Sequence, residues 1–521
     1  MTITQRPPAI RRANQATRQV KGSDVALLGC AAAFVPLEVM ANNPLDIGHP
    51  ERILALVGLL WGVGLLVVTV LVRRGVRSTT AVSSVFLTTV LTMTGGPLLM
   101  RLGEPMGWAA LLGLAGSVVF LISRLESHVV LSILQLSFAA FLISGPTIDF
   151  VRESAALGED TVVGDPLAPI GMTKTPDVFV VVLDGYGGHR SLVHDSEAEE
   201  PEVVGALEDA GFRVPRSAWS AYPATRSSVP SLLDMSYPLE SGSVVSATTE
   251  RHLSDMLGGS NAASIALGDQ GYELVMVESG WSGSRCGPNI DRCISAPLMD
   301  EAMFAITERT VAGPSVLGRL GYAFTIGAQH SMSWLRANAP SLSSDGEPSF
   351  VFAHVMAPHP PFFLDAACRT KYHADRSGVQ FARPFDDIEA RQAAYGEQTE
   401  CLNDFIIDLS ASIDPNDVLI FVGDHGTDQR NQMARDPASW STEDLAERFN
   451  VFLAVRAGDG CSVGDPVMVP NILRRVLSCL SDDQLDDLEP RMFKFAQTWA
   501  GDSASEVLEV GRSEVSALVG P

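Results

Sequence analysis

Charge is scarce in this sequence, and basic charge is the scarcer kind. Of its 521 residues 19% are charged and 46% are hydrophobic, and the mean hydropathy is +0.17. That composition is too apolar for a single soluble globular protein and predicts a membrane portion. Lys and Arg number 37 against 61 Asp and Glu, giving a net charge of −24. Because such a surface repels phosphate backbones, we expect no nucleic-acid partner.

The charge is unevenly distributed along the chain. The first 150 residues carry 11 Lys and Arg against 7 Asp and Glu, whereas the remainder carries 26 against 54. The first part contains five apolar stretches of about 16 to 23 residues, near the ~20 that cross a hydrocarbon core as a helix. In succession they leave no polar face for a soluble bundle. We therefore predict about five transmembrane helices in residues 24–150, at 24–41, 52–72, 79–100, 108–123 and 128–150.

Basic residues predict the orientation of these helices. Arginines and a lysine precede the first stretch, in a tail formed by residues 1–23, and Arg73, Arg74 and Arg77 follow the second. By the positive-inside rule both segments face the cytoplasm. An odd number of spans then places the C-terminal half outside the plasma membrane. A cleaved signal peptide is the alternative for the first stretch, because Val39-Met40-Ala41 offers small residues for cleavage, and it leaves the outer location unchanged.

No two cysteines have C-x-x-C spacing, which argues against a zinc site built from cysteine. Of the 7 cysteines, Cys30 lies in the first apolar stretch and the other six lie beyond the apolar part. An even number suits disulfides in an oxidising compartment, although six cysteines allow 15 connectivities and free buried thiols are the alternative. The most local pairs are Cys286 with Cys293, Cys368 with Cys401, and Cys461 with Cys479.

Beyond residue 150 short apolar strands alternate with helices. Residues 151–173 are rich in small, acidic, Pro and Gly residues, so we predict a linker. Near-continuous apolar strands are typical of parallel sheets, so residues 174–481 should form an extracytoplasmic α/β/α sandwich with a mainly parallel sheet. Strands are expected at 177–185, 272–280, 349–358, 417–426 and 449–457, and helices at 201–211, 392–413 and 470–480. The acidic residues 482–521 should form a helical C-terminal appendage.

Two of these strands end in residues that can bind a metal ion. Asp184 closes VVVLDG, and Asp424 with His425 closes IFVGDHG. In open α/β folds the chemistry lies beyond the carboxyl ends of the strands. A carboxylate there can instead cap a helix, and for Asp184 this alternative stays open. A carboxylate next to an imidazole is a good ligand pair for Zn or Mn, and the flanking glycines allow close backbone approach.

A hydroxyl-rich segment supplies a candidate nucleophile. Thr225-Arg226-Ser227-Ser228 precedes Pro230, a pattern that predicts a loop entering a helix. A hydroxyl at a helix start can be an N-cap and nothing more. The same position, however, presents backbone N–H groups and the helix dipole to an anion. A nearby metal ion would lower the pKa of the hydroxyl and make it a nucleophile.

Four motifs in order, VVLDG, YPATRSSVPSLL, HVMAPHPPF and GDHG, carry a resemblance. Together they resemble the sulfatase-like branch of the alkaline phosphatase superfamily over most of residues 175–480. Within it the chain is most similar to membrane-anchored phosphotransferases, typified by lipoteichoic acid synthase and the lipid A phosphoethanolamine transferases. Those enzymes have about five spans and one outer catalytic domain, which is the organisation predicted above.

The resemblance implies a role for each matching residue. Thr225 would be the nucleophile that becomes phosphorylated and also contacts the metal. Asp184 would be the first metal carboxylate, where lipoteichoic acid synthase has glutamate. One divalent metal ion (Zn, Mn or Mg) would be bound by Asp184, Thr225, Asp424 and His425. His359 would contact the substrate phosphate or leaving group, with a proline-fixed structural histidine as the alternative. His354, on the strand, is expected in the core or behind a ligand.

The sequence differs from the family pattern at two points, and each difference argues against one type of reaction. Sulfatases need Cys or Ser in a C/S-x-P-x-R signature for conversion to formylglycine, and ATRSSVP lacks it. Sulfate-ester hydrolysis by that route is therefore not expected. The two-metal phosphodiesterases of the superfamily need a further Asp and two histidines. With 10 histidines in the chain, several of them outside any motif, we expect one metal.

The resemblance thus implies transfer of a phospho-head group from a membrane phospholipid donor to an envelope glycan or lipid acceptor, through a phosphothreonine. One alternative is a phosphoester or sulfoester hydrolase of the same superfamily, in which water replaces the acceptor. Another is a non-catalytic envelope membrane protein that has kept the fold. Loss of Thr225 or of either aspartate would have favoured the non-catalytic alternative, but all three residues are present.

The charge pattern makes a prediction about topology. A reporter fused after Pro521 should behave as extracytoplasmic and one inserted after Arg74 as cytoplasmic, because arginines after the second stretch stay inside. Paired alkaline phosphatase and green fluorescent protein fusions measure this. Protection of the C-terminus from protease in intact spheroplasts would contradict the orientation.

Overall fold

The computed structural model describes residues 20–42, 49–94, 113, 170–189, 202–310, 323–342, 346–371, 388–458, 461–495 and 505–520. The chain divides into two compact units. The first comprises Met1–Ala156 and Ala302–Arg319, and the second comprises Leu157–Glu301 and Leu320–Pro521.

Three apolar helices make up most of the described first unit: α1 (Gly22–Asn42), α2 (Pro50–Arg73) and α3 (Ser78–Thr94). Two segments, Gly22–Met40 and Pro50–Arg73, are long and apolar enough to cross a membrane, and Thr80–Thr94 is a shorter apolar helix. These helices match the first three predicted stretches. The stretches at 108–123, apart from residue 113, and 128–150, and the end of the third, lie outside the described residues, so two candidate spans stand where five were predicted.

The outward face of α2 is apolar. Leu54 is 66% exposed, and Leu59 and Leu66 are each 64% exposed. A run of exposed leucines is unfavourable in water but favourable against lipid chains. Burial within the protein therefore does not account for the hydrophobicity of this helix.

The second unit is built on a six-stranded sheet. The described strands of the unit, including short ones outside this sheet, are β1 (Val178–Leu183), β2 (Ala218–Trp219), β3 (Val244–Val245), β4 (Glu273–Val277), β5 (Arg292–Ile294), β6 (Ser349–Val355), β7 (Val418–Gly423), β8 (Leu453–Arg456), β9 (Val467–Met468), β10 (Phe493–Lys494), β11 (Ser505–Glu506) and β12 (Leu508–Glu509). The main sheet has the order β5-β4-β6-β1-β7-β8. All neighbours in it are parallel except β7 and β8, which are antiparallel. The mainly parallel sheet and all five predicted strands are therefore confirmed.

The central strands are wholly buried, which explains their sequences. Every residue of β1, β6 and β7 is buried, as expected for parallel strands covered on both faces. The register pairs Leu183 with Gly423 and with Val355. The next residue after β1 therefore lies beside the next residue after β7, at one edge of the sheet.

The remaining helices are α4 (Glu202–Asp209), α5 (Thr225–Asp234), α6 (Ala247–Leu257), α7 (Ala262–Gly268), α8 (Glu301–Arg309), α9 (Ala323–Leu342), α10 (Ile388–Ser412), α11 (Thr442–Phe449), α12 (Val469–Leu480) and α13 (Arg512–Val519). All of them except α8, which belongs to the first unit from Ala302 onward, lie in the second unit with the sheet. Helices α5, α7 and α12 share an apolar cluster with alternate residues of β1, beginning at Val178. Helix α9 packs on β6, and α10 packs on α9 and α4. The three predicted helices are present as α4, α10 and α12.

The described C-terminal residues pack into the second unit. Phe493 is fully buried and stacks on Tyr222, with 5.2 Å between ring centroids. It shares a core cluster with Trp219, Val507 and Leu518. The segment predicted as a helical appendage thus contains α13 together with short strands, and its side chains form part of a core.

All residues of helix α8 except the first belong to the first unit. Ala302 and Ile306, one turn apart, share a buried cluster with Val39 of α1. Arg309 Nη1 lies 3.0 Å from Glu38 Oε1, so the acidic residue within the first apolar stretch has a cationic partner. The sequence did not predict this arrangement.

Two of the three local cysteine pairs form disulfides. Cys286 is bonded to Cys293, and Cys368 to Cys401. Cys461 and Cys479, the third local pair, are free thiols, as is Cys30. Burial, and then the neighbouring Cys479 thiol, raise the pKa of Cys461 to about 12. It is therefore a neutral thiol at pH 7.

The packing around Phe493 predicts a stability effect. Phe493→Ala should lower the free energy of unfolding by about 3–5 kcal/mol, because it leaves a cavity in a closed aromatic cluster. Urea unfolding of the full-length protein in detergent, followed by tryptophan fluorescence, measures it. Val244→Ala, at a residue 48% exposed, is the control and should change stability by about 0.5 kcal/mol or less. Equal effects would show that the C-terminal segment is only peripheral.

Candidate active site

The carboxyl ends of β1 and β7 bring three candidate ligands together. Asp184 follows β1, and Asp424 with His425 follows β7. Oxygen and nitrogen atoms of all three side chains lie within 4.8 Å of one another, and all three residues are buried. The parallel pairing of the two strands produces this, because it carries both chain ends to the same edge.

In each of these three side chains, one atom that faces the other two makes no strong hydrogen bond and could bind a metal ion. Asp184 Oδ1 and Asp424 Oδ2 are buried and have no hydrogen-bond partner among the described residues. The other oxygen of Asp424 accepts the Gly185 N–H at 2.9 Å. His425 Nδ1 lies 2.9 Å from the Gly426 carbonyl oxygen, so Nδ1 carries the proton and Nε2 keeps its lone pair.

These open atoms fit a divalent cation. His425 Nε2 lies 3.6 Å from Asp184 Oδ1 and 3.4 Å from Asp424 Oδ2. Unpaired buried carboxylate oxygens are costly, and they call for a partner. Two carboxylates and one imidazole, with a hydrogen bond behind the imidazole, are a donor set that Zn or Mn accepts. The residues present therefore suit the metal that the sequence predicted.

The glycines around these ligands are required by close backbone approach. A Cβ on Gly423 would lie 2.1 Å from the Tyr186 carbonyl oxygen, and one on Gly426 would lie 2.0 Å from the Glu447 carbonyl oxygen. Any side chain at either position would force the ligand loop away from its neighbours. The close approach expected at the GDHG motif is thus present.

Thr225 adds a fourth oxygen to the site. Its Oγ1 lies 3.2 Å from His425 Nε2 and donates to Asp184 Oδ2 at 3.3 Å. The N-cap of α5 is Ala224, which has no side-chain cap bond, so Thr225 is the first helical residue and does not act as the cap. The threonine hydroxyl is therefore free to serve the site.

One expectation about this segment was wrong. The sequence predicted a loop over Thr225–Ser228 and a helix starting near Pro230, whereas the helix begins at Thr225 and contains Pro230. Pro230 is buried, and so are the residues that follow it in the helix. Packing against the core thus overrides the usual effect of proline.

Burial and neighbouring charges set the protonation of the ligands. Burial alone would raise the pKa of Asp184, but the nearby histidines, His359 foremost, hold it below its usual value. Burial and the charge of Asp184 raise the pKa of Asp424. Burial, and then the Arg448 charge, lower the pKa of His425 to about 3, so its imidazole is neutral at pH 7. A neutral imidazole is the form that ligates metal.

The two other predicted histidines lie near this group. His354 on β6 is fully buried, with Nε2 3.2 Å from Asp184 Oδ2 and Nδ1 3.2 Å from Ser279 Oγ. It therefore lies behind a ligand, where the sequence predicted it. His359 follows β6, and its Cα lies 3.9 Å from the Cβ position of Gly185, so its backbone borders the turn after Asp184. Its contact with substrate stays a prediction.

Two buried residues that support the site were missed by sequence reasoning. The Tyr395 hydroxyl, on α10, donates to the Gly185 carbonyl at 3.1 Å and accepts the Gly187 N–H at 3.0 Å. Arg448, on α11, is likewise buried against main-chain atoms of the site loops. Because their partners are backbone atoms, no motif or spacing could have identified them.

A family model described as Sulfatase matches residues 176–453, more than half of the chain. The chain belongs to the sulfatase family. This confirms the resemblance that the four motifs carried. No curated protein sequence matches the chain.

Solved structures with similar folds belong to transferases and sulfatases. The C-terminal periplasmic domain of EcEptC from Escherichia coli, in complex with Zn, is 12% identical, covers 66% of this chain and 96% of its own, and has a TM-score of 0.41. The corresponding domain of phosphoethanolamine transferase EptC from Campylobacter jejuni is 12% identical, covers 59% and 90%, and scores 0.35. BT1596, a 2-O GAG sulfatase, is 12% identical, covers 62% and 78%, and scores 0.38. With TM-scores below 0.5, these similarities carry no argument about the activity of this chain.

The geometry predicts which carboxylate a metal needs. Asp424→Asn should lower the affinity for Zn or Mn by about 100-fold or more, because it removes a ligand charge from the only acidic pair in the described site. Calorimetry and metal analysis of purified protein measure this. Asp417→Asn is the matched control, since Asp417 is a buried aspartate at the opposite end of β7 and should leave metal binding unchanged. Full occupancy in Asp424→Asn would mean that the metal binds elsewhere.

Proposed function

We propose that this protein is a metal-dependent, membrane-anchored phosphotransferase that moves a phospho-head group from a lipid donor to an envelope glycan or lipid, through a phosphothreonine at Thr225. The observation that carries the proposal is the position of the threonine hydroxyl, 3.2 Å from His425 Nε2 and 3.3 Å from Asp184 Oδ2 at the first residue of a helix. A nucleophile needs both activation and charge stabilisation, and this position provides for both.

Asp184, Asp424 and His425 would hold the metal, with the Thr225 oxygen beside it. When bound, the ion would supply positive charge that lowers the pKa of the hydroxyl and balances charge on the phosphoryl oxygens. Thr225 also argues against sulfate-ester hydrolysis, the activity after which the family is named. The formylglycine of sulfatases forms from Cys or Ser and not from Thr.

The proposed reaction has two steps. Thr225 Oγ1 attacks the phosphorus of the lipid head group, an Oγ1–P bond forms, and the P–O bond to a diacylglycerol-like alcohol breaks. That alcohol leaves with the proton that the threonine gives up. A hydroxyl of the acceptor then attacks the phosphorus of the phosphothreonine, so that an acceptor O–P bond forms and the Oγ1–P bond breaks. The proton of the acceptor hydroxyl passes to Oγ1 and restores the Thr225 hydroxyl. His359 would hold the substrate phosphate or leaving group during this exchange.

Two features support an outer, membrane-anchored location for this chemistry. The apolar helices α1 and α2 would anchor the protein in a bilayer and keep the site close to lipid donors. The two disulfides, Cys286–Cys293 and Cys368–Cys401, suit an oxidising compartment outside the cytoplasm. One catalytic domain would then face both its lipid donor and its envelope acceptor.

Thr225 provides the test of the covalent route. Thr225→Ala should reduce transfer by about 1,000-fold or more while retaining metal, because the attacking oxygen is lost and three ligands remain. Thr225→Ser should keep part of the activity. Mass spectrometry after incubation with membrane lipids should show the head-group adduct on Thr225 in the native protein and not in Thr225→Ala.

Ser227→Ala is the control, since its buried hydroxyl lies in the same helical turn and bonds the Ala224 carbonyl. It should form the adduct normally. Unchanged transfer by Thr225→Ala would defeat the covalent mechanism. An adduct that is released to water alone, with any acceptor present, would identify a hydrolase of the same family.

A further inference from the structure

Arg448 joins the two chain segments that form the site. It belongs to α11, and its buried guanidinium donates from Nε to the Pro223 carbonyl at 2.7 Å and from Nη1 to the Gly426 carbonyl at 3.0 Å. Pro223 lies two residues before Thr225, and Gly426 directly follows His425. One rigid, planar group therefore connects the nucleophile segment to the ligand loop.

The Gly426 carbonyl is shared with a ligand. It accepts from Arg448 and also from His425 Nδ1, at 2.9 Å. The bond to Nδ1 fixes the imidazole so that Nε2 points at Thr225. Arg448 thus holds the same oxygen that sets the orientation of the histidine, and it holds the chain entering α5 at the same time.

A second link fixes the same two segments from another side. The Ser228 hydroxyl, one turn into α5, donates to the Asp424 carbonyl at 2.5 Å. Ser228 restrains the helix after Thr225, whereas Arg448 restrains the chain before it. With Arg448 removed, the helix would still be attached, but its first residue could shift relative to His425.

Helix α11 provides a firm base for this guanidinium. Ser441 and Asp444 form a capping box at its start, and Leu445 and Phe449 are fully buried. A buried guanidinium loses much hydration, which the protein recovers only where each donor meets an acceptor in fixed geometry. Arg448 therefore projects from a helix that is capped at its start and buried along its apolar face.

We propose that Arg448 is a positioning residue for the transfer reaction: by binding the Pro223 and Gly426 carbonyls together it keeps Thr225 Oγ1 within reach of His425 Nε2. This inference rests on the proposed function for its kinetic consequence. It does not assign Arg448 any contact with substrate. Its effect is on the alignment of attacking oxygen and ligand, where a displacement of about 1 Å can cost about 100-fold in rate.

The test compares Arg448→Met and Arg448→Lys with a matched control in the full-length protein. Arg456 is a buried arginine that donates to the Ser410 and Ile413 carbonyls, away from the site, so Arg456→Met removes a similar group. Should that variant fail to fold, Arg474→Met, which loses bonds to the Asp486 and Met235 carbonyls, replaces it. Each protein is loaded with Co²⁺, and its visible spectrum is recorded. Turnover of bis(p-nitrophenyl) phosphate gives kcat and KM per bound Co²⁺.

We expect Arg448→Met to bind Co²⁺ at native stoichiometry with an altered spectrum, and to lose about 100-fold in kcat with KM within about threefold. Arg448→Lys keeps the charge and one bond and should recover part of the loss. The control should have the native spectrum and kcat.

Other results would overturn the inference. A native spectrum and native kcat in Arg448→Met, the same losses in the control, or loss of Co²⁺ from both Arg448 variants would each show that the arginine only supports the fold. A native protein that binds Co²⁺ but does not turn over bis(p-nitrophenyl) phosphate would overturn the proposed function. The Co²⁺ spectra of the variants would still show whether Arg448 positions the ligands. A native protein that neither binds Co²⁺ nor turns over would overturn both.

Discussion

Two carboxylates buried side by side are the constraint on which the rest of this site depends. Asp184 and Asp424 end neighbouring strands in the interior, where like charges repel strongly and water cannot screen them. The surroundings accommodate both: a neutral imidazole faces them, and the Gly185 N–H donates to the outward oxygen of Asp424. The unfavourable pair is thus kept in a form that a cation would stabilise.

The site is assembled mainly through main-chain atoms. Tyr395, Ser228 and Arg448 each bind a backbone group of a segment that carries a functional side chain. Glycines at 423 and 426 let backbones touch where side chains would separate them. The functional side chains are few, and they are positioned by residues that bind backbone atoms and make no hydrogen bond to the side chains of Asp184, Asp424 and His425.

Sequence reasoning succeeded where burial or strand position left a clear pattern. The apolar runs gave the strands, and an acidic residue at each run's end identified Asp184 and Asp424. It failed where tertiary contacts decide: Pro230 suggested a helix start five residues too late. Nothing in the sequence of α8 indicated that this helix joins the unit of the apolar helices. The antiparallel direction of β8 has no local signal either, since direction depends on how the chain returns to the sheet.

The pairing of β1 with β7 has one more consequence. Val178–Leu183 and Val418–Gly423 are buried at every position, so hydrophobicity alone would accept the two strands displaced by one residue. Side chains alternate between faces, however, and such a slip would send Asp184 and Asp424 to opposite sides of the sheet. An exchange among valine, leucine and isoleucine along these strands would leave both aspartates on the same side of the sheet. The site therefore depends on the number of residues in each strand. Deletion of one apolar residue from either strand would move the two aspartates to opposite faces of the sheet, although the remaining side chains would still be hydrophobic.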